Sequence, residues 1–90
     1  MKTRAHVIIY GKVQGVFFRA EAKKRADQAG VFGWAKNLKD GNVEAVFEGE
    51  EEAVEELVDF CRRGPKNATV SNIDLNYEKY CGEFRFFRVE

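Results

Sequence analysis

The chain has one histidine, one proline, two cysteines and no excess of charge of either sign. Each shortage narrows what it can do. Fifteen basic residues balance fifteen acidic ones. A nucleic-acid module draws much of its affinity from neutralising phosphates and usually carries a basic excess, so no nucleic-acid partner is expected. With a single His, and with Cys61 and Cys81 far apart, no zinc-ligand spacing exists, and neither a bound metal nor another cofactor is expected. The two cysteines read as small, partly buried hydrophobes, reduced rather than paired. Long hydrophobic runs are missing too. The apolar run ending at Gly11 is too short for a membrane span or a signal-peptide core, and no small-residue cleavage site follows it. The expected location is the cytoplasm, with no membrane association.

What is present describes one globular domain, residues 1–90, with 44% hydrophobic and 33% charged residues. At this size folding buries about two-thirds of the surface of the unfolded chain. The core can be one sheet and a layer of helices, and little more. No internal repeat, low-complexity segment or linker interrupts it.

Residues 3–10 alternate Ala5, Val7 and Ile9 against Arg4, His6, Ile8 and Tyr10, the period of a strand with both faces partly covered. From Phe18 the spacing turns helical, with Phe18, Ala22, Ala26 and Ala29 on one side and Gly30 at the stop. Two strands follow, 31–38 and 43–48, joined by Lys39-Asp40-Gly41-Asn42, a strong hairpin signal. A second helix is predicted over 51–63, with an apolar stripe of Ala53, Val54, Leu57, Val58 and Cys61. Glutamates lead it, Arg62 and Arg63 close it, and Gly64-Pro65 ends it. Segments 70–77 and 84–89 are again β-like. This order predicts an α+β, ferredoxin-like βαββαβ domain. Its antiparallel sheet would carry both helices on one face, an extra short C-terminal strand, and the first strand inside the sheet.

Two stretches carry chemistry. In GKVQGVFFR, Gly11 to Arg19, glycines at the end of a strand and before a helix allow successive backbone N–H groups to converge. Such a nest beside the first free amides of a helix binds phosphate, and Arg19 can add a planar fork of donors. The simpler reading of these residues alone is a tight turn with a solvated Arg. In GWAKNLKDG, Gly33 to Gly41, Asn37 points away from Trp34 and Leu38, to the side of Gly33 and Ala35. An amide there can hold a water by donating and accepting, or it can serve the adjacent turn. His6, in mid-strand, reads as a structural or surface residue. Phe17, Phe18, Phe84, Phe86 and Phe87 read as core packing before base stacking.

Together the two stretches resemble the acylphosphatase family. Its G-x-V-Q-G-V-x-F-R loop is matched by Gly11, Val13, Gln14, Gly15, Val16, Phe18 and Arg19. Its G-W-x-x-N-x-x-D-G-x-V-E run is matched by Gly33, Trp34, Asn37, Asp40, Gly41, Val43 and Glu44. The helix and its Gly64-Pro65 stop also resemble the family's middle, while residues 84–89 match more loosely. The resemblance implies metal-free hydrolysis of small-molecule acyl phosphates to a carboxylate and inorganic phosphate. It implies a phosphate cradle formed by Gly15, Val16, Phe17, Phe18 and Arg19. Arg19 would bind the phosphoryl group and Asn37 would orient the attacking water, in a chain acting as a monomer. The carboxylate leaving group, with a pKa around 4, needs no strong general acid, which accords with the lack of paired catalytic carboxylates or a Cys-His pair. Two rival readings are an RNA-binding module of the same fold, whose basic-aromatic strand motif is missing here, and a domain that only senses ligands.

Overall fold

The alternation in the first segment produces strand β1 (Lys2–Lys12), with Ala5, Val7 and Ile9 fully buried. The computed structural model describes residues 1–90. It continues with α1 (Phe18–Ala29), β2 (Phe32–Asn37), β3 (Val43–Glu50), α2 (Glu51–Arg63), β4 (Thr69–Glu78) and β5 (Phe87–Val89). Helix α1 buries Phe18, Ala22 and Ala26, the four-residue spacing of one helical face, and Gly30 caps it by donating its N–H to the Ala26 carbonyl. Helix α2 buries Val54, Leu57, Val58 and Cys61 as its stripe predicts, and also Phe60.

The sheet has the order β4-β1-β3-β2-β5. Strand β1 lies inside it, antiparallel to both β3 and β4, and β2 pairs antiparallel with β3. These four strands form the expected ferredoxin-like arrangement. The fifth amends it: β5 runs parallel to β2, so the sheet is mixed. The reason is topological. Strand β4 ends at the end of the sheet where β2 begins, and the chain crosses to the far edge there. A strand that enters beside β2 from that end must run in the direction of β2.

Both helices pack on one face, α2 against β1, β3 and β4, and α1 against β2 and β5. Between them lies the core, where Phe47, Phe60 and Phe87 are fully buried. Each such side chain contributes about 1.5–3 kcal/mol relative to exposure. Phe18 and Phe60 meet with ring centroids 5.2 Å apart and join the helices. Phe87 stacks on Phe47 at 5.6 Å and fixes the short β5 to the core. The expectation of core packing thus holds for Phe18 and Phe87, while Phe84 is half-buried. It fails for Phe17 and Phe86, which are 81% and 56% exposed. Phe17 sits in a left-handed turn that points outward, and Phe86 precedes β5 with parity opposite to the buried Phe87. Cys61 is buried, whereas Cys81 is exposed in the crossing segment rather than partly buried, and both are free.

Candidate active site

Strand β1 does not end cleanly. Its register with β4 shifts between Tyr10 and Gly11, a bulge that turns the chain out of the sheet. A Cβ at Gly11 would lie 2.1 Å from the Thr69 carbonyl oxygen, so only glycine permits this close approach of the two strands. The loop that follows is anchored at one end by Val13, 1% exposed, and by Val16 and Phe18, whose side chains are also buried. Gly15 adopts φ 73° and Phe17 φ 61°, left-handed conformations that curl the main chain back on itself. With those side chains inward, Gly15 and Phe17 are the exposed residues between them.

Helix α1 then begins without a side-chain cap. Its first main-chain bond runs from the Glu21 N–H to the Phe17 carbonyl. The amides of Phe18, Arg19 and Ala20 therefore have no intrahelical acceptor, and the positive end of the helix dipole is turned to the loop. Arg19, half-buried in this first turn, donates from Nη1 to the main-chain oxygen of Glu90. The reading of Arg19 as a merely solvated side chain does not hold.

Gln14 ties the loop to the neighbouring hairpin. Its Nε2 donates to the Leu38 carbonyl at 2.7 Å and to the Asn42 carbonyl at 2.9 Å. Asn37 ends β2 just before that hairpin. The turn closes through Leu38 N–H to the Asn42 carbonyl, 2.8 Å, and through Asn42 N–H to Asp40 Oδ1, 3.1 Å. The Asn37 side chain takes no part in these bonds and stays exposed, on the same side of β2 as the buried Gly33 and Ala35.

Gly15, Phe17, Phe18, Arg19 and Asn37 thus line one cavity of about 300 Å³, together with Val89. Val16, expected in the cradle, is buried and does not line the cavity. Sequence reasoning missed the contribution of β5: Val89 walls the cavity, Glu90 N–H donates to the Ala35 carbonyl at 2.9 Å, and Lys23 Nζ donates to the Phe87 carbonyl at 3.0 Å. Gln14 was legible only as part of the motif. A second cavity, about 390 Å³, lies against the crossing segment beside Trp34, Phe84 and Arg85 and contains neither Arg19 nor Asn37.

His6 lies outside the site, with Nε2 2.6 Å from Glu44 Oε2 on the helix-free face of the sheet. That face is where an RNA-binding module of this fold would stack bases. Here Glu44, Glu48, Asp74 and Glu78 occupy it, in bonds to His6, Arg4 and Tyr10. No group of three or more His, Cys, Asp or Glu comes together as a metal site, and no helix is long and apolar enough to cross a membrane.

Comparison with known proteins identifies the family. The family model for acylphosphatases matches residues 5–89. The chain is 50% identical over 88 residues to an acylphosphatase of Pelotomaculum thermopropionicum, covering 98% of this chain and 96% of that one. It is 54% identical over 86 residues to an acylphosphatase of Roseiflexus sp., covering 96% and 92%. Its fold superposes on the structure of an acylphosphatase from Coxiella burnetii with a TM-score of 0.91, at 39% identity and covering 99% and 93% of the two chains. With a family model over nearly its whole length and curated relatives at about half identity, the chain belongs to the acylphosphatase family, hydrolases of the carboxyl–phosphate bond.

Proposed function

We propose that the cavity of Arg19 and Asn37 carries the hydrolysis, with no metal ion in the reaction. The phosphoryl group sits on the amides of Gly15, Val16, Phe17, Phe18 and Arg19, with the Arg19 guanidinium on its oxygens. The Asn37 amide holds a water in line with the bond to be broken. The water oxygen attacks phosphorus, the phosphorus–oxygen bond to the acyl group breaks, and its electron pair leaves on the carboxylate. One proton of the water passes to a phosphoryl oxygen of the substrate, so no protein base is required. Charge spreads over the equatorial oxygens in such a transition state, and fixed donors stabilise it without reorganising.

The observation that carries this reading is the meeting of Arg19 and Asn37, distant in sequence, in one cavity beside an uncapped helix start. The products are a carboxylate and inorganic phosphate. The site is complete within one chain, which supports a monomer as the working unit. Two free thiols suit a reducing compartment, which supports the cytoplasm.

The roles are separable by kinetics. Asn37→Ala should lower kcat by about 100-fold or more while leaving the inhibition constant of inorganic phosphate nearly unchanged, because a group acting only in the transition state does not alter ground-state binding. Arg19→Lys keeps the charge but loses the rigid fork, so phosphate affinity should fall along with kcat. Near-normal turnover of a folded Asn37→Ala would refute the water-holding role.

A further inference from the structure

The core-facing residues of α1 are Phe18, Ala22 and Ala26, and Arg19, Lys23 and Asp27 each follow one of them. With the same four-residue spacing, these three share a second face of the helix. Helix α1 packs against β2 and β5, and Arg19 and Lys23 both reach β5 itself. Arg19 Nη1 donates to the main-chain oxygen of Glu90. One turn further on, Lys23 Nζ donates to the Phe87 carbonyl at 3.0 Å, while Asp27 Oδ2 holds the same ammonium at 3.1 Å.

Strand β5 has few other ties. It is three residues long and pairs with β2 alone. The Phe86 carbonyl accepts from the Gly33 N–H, and the Glu90 N–H donates to the Ala35 carbonyl. Backbone groups alternate sides along a strand, so the Phe87 carbonyl belongs to the free edge of the sheet. Water is an alternative partner for an edge carbonyl, and the Lys23 bond therefore adds little to global stability. Its effect is on position. A short edge strand belongs to the least stable part of a fold, and Lys23 clamps it to the helix that carries Arg19.

The half-buried Arg19 has one hydrogen-bond partner, the Glu90 oxygen, which leaves its remaining donors for an anion. A guanidinium recognises an anion through the fixed direction of its fork, and here that direction depends on where Glu90 stands. We propose that Lys23 is a positioning residue for phosphate binding. By fastening β5 to α1, it holds the Glu90 oxygen in the place that orients Arg19. This rests on Arg19 binding the phosphoryl group in the cavity. Lys23 does not line that cavity and touches no substrate.

The test measures the inhibition constant of inorganic phosphate and kcat for benzoyl phosphate in Lys23→Met, Lys23→Arg and Lys24→Met. Methionine keeps an unbranched stem and removes the donor. In Lys23→Met the phosphate constant should rise about tenfold and kcat should fall with it, short of the roughly hundredfold that an ångström of misplacement can cost. Arginine restores a donor, so Lys23→Arg should keep both constants near those of the unaltered enzyme. Lys24 is exposed at the next position of α1, and Lys24→Met removes the same charge without changing either constant. In an Arg19→Lys background, Lys23→Met should have no further effect on the phosphate constant, because a residue acting through Arg19 then has nothing to position. A merely structural lysine would lower the denaturation midpoint and leave the phosphate constant of the folded protein unchanged, and that result would overturn the proposal. So would an equal change in Lys24→Met, which would mark a diffuse field, or an undiminished effect in the Arg19→Lys background. If the unaltered enzyme neither binds phosphate nor hydrolyses benzoyl phosphate, the reading of the cavity itself fails and takes this proposal with it.

Discussion

Cys61 and Cys81 carry the same thiol into opposite environments, and the difference is open to chemical test. Burial pushes the Cys61 thiol far above its ordinary value of 9.0, with Arg62 opposing weakly, while Cys81 is exposed. A thiol reagent should label Cys81 in the native protein and reach Cys61 only after unfolding, as mass spectrometry of the modified chain would show. Because the folded thiol holds its proton to higher pH than the unfolded one, its contribution to stability is complete below pH 9.0 and is lost above it. Denaturant midpoints measured at rising alkaline pH should fall accordingly. Such environments are only partly legible in the sequence. The strand parity of Asn37 follows from its neighbours Trp34 and Leu38, and the side chain is indeed on the face of Ala35. That it is free of the hairpin turn depends on Asp40 making the turn bond instead, which spacing cannot show. Aromatic residues are less legible still. Composition sends phenylalanine inward, yet the left-handed φ of Phe17 arises from the loop path and turns its ring out.

At the scale of elements, the two helices and the central hairpin follow from periodicity and turn chemistry. Gly30 stands in the left-handed cap position that its place after the helix foretold. What periodicity does not reveal is how two elements are held at a fixed distance. The loop after β1 and the hairpin after β2 are brought together by Gln14, whose amide reaches the Leu38 and Asn42 carbonyls. The loop proposed to hold phosphate and the hairpin next to Asn37 are therefore tied by one side chain. Gln14→Leu removes both bonds and leaves a part-buried apolar side chain facing two carbonyls. It should destabilise the fold by about 1–3 kcal/mol, measured by urea denaturation. It should also lower kcat, because the nucleophile and the phosphorus are then positioned by separate, unlinked segments. A variant with normal kcat would show that the main chain alone sets the spacing. The pairing of β5 is hidden in the sequence for a different reason. A three-residue edge strand has too little pattern to declare its partner, and its place is decided by Phe87 stacking on Phe47.

Across the whole molecule, the two ends of the sheet have different tasks. The end where β1 and β2 finish holds the cavity. The other end is crossed by residues 79–86, which carry the chain from one edge strand to the other. Arg4 gathers that crossing. Its guanidinium bonds Glu48, Glu78 and Glu83, and it lies 5.3 Å from the centre of the Phe84 ring. Glu48 is only 2% exposed and also accepts the Cys81 N–H at 3.0 Å. Removing Arg4 would leave the buried Glu48 carboxylate without its cation, so Arg4→Ala should cost about 3–5 kcal/mol in urea denaturation. A loss below about 1 kcal/mol would mean that the cluster behaves as a surface pair. The sequence does not show this cluster, since its four charged partners come from separate segments, each reading as ordinary surface charge. In the proposed function the chemistry belongs to the opposite end, to a cradle of amides with Arg19 and Asn37 and no metal ion. The release of phosphate from benzoyl phosphate with and without EDTA tests that directly. The rate should be the same in both, with inorganic phosphate inhibiting competitively. Activity lost in EDTA and restored by magnesium would contradict it.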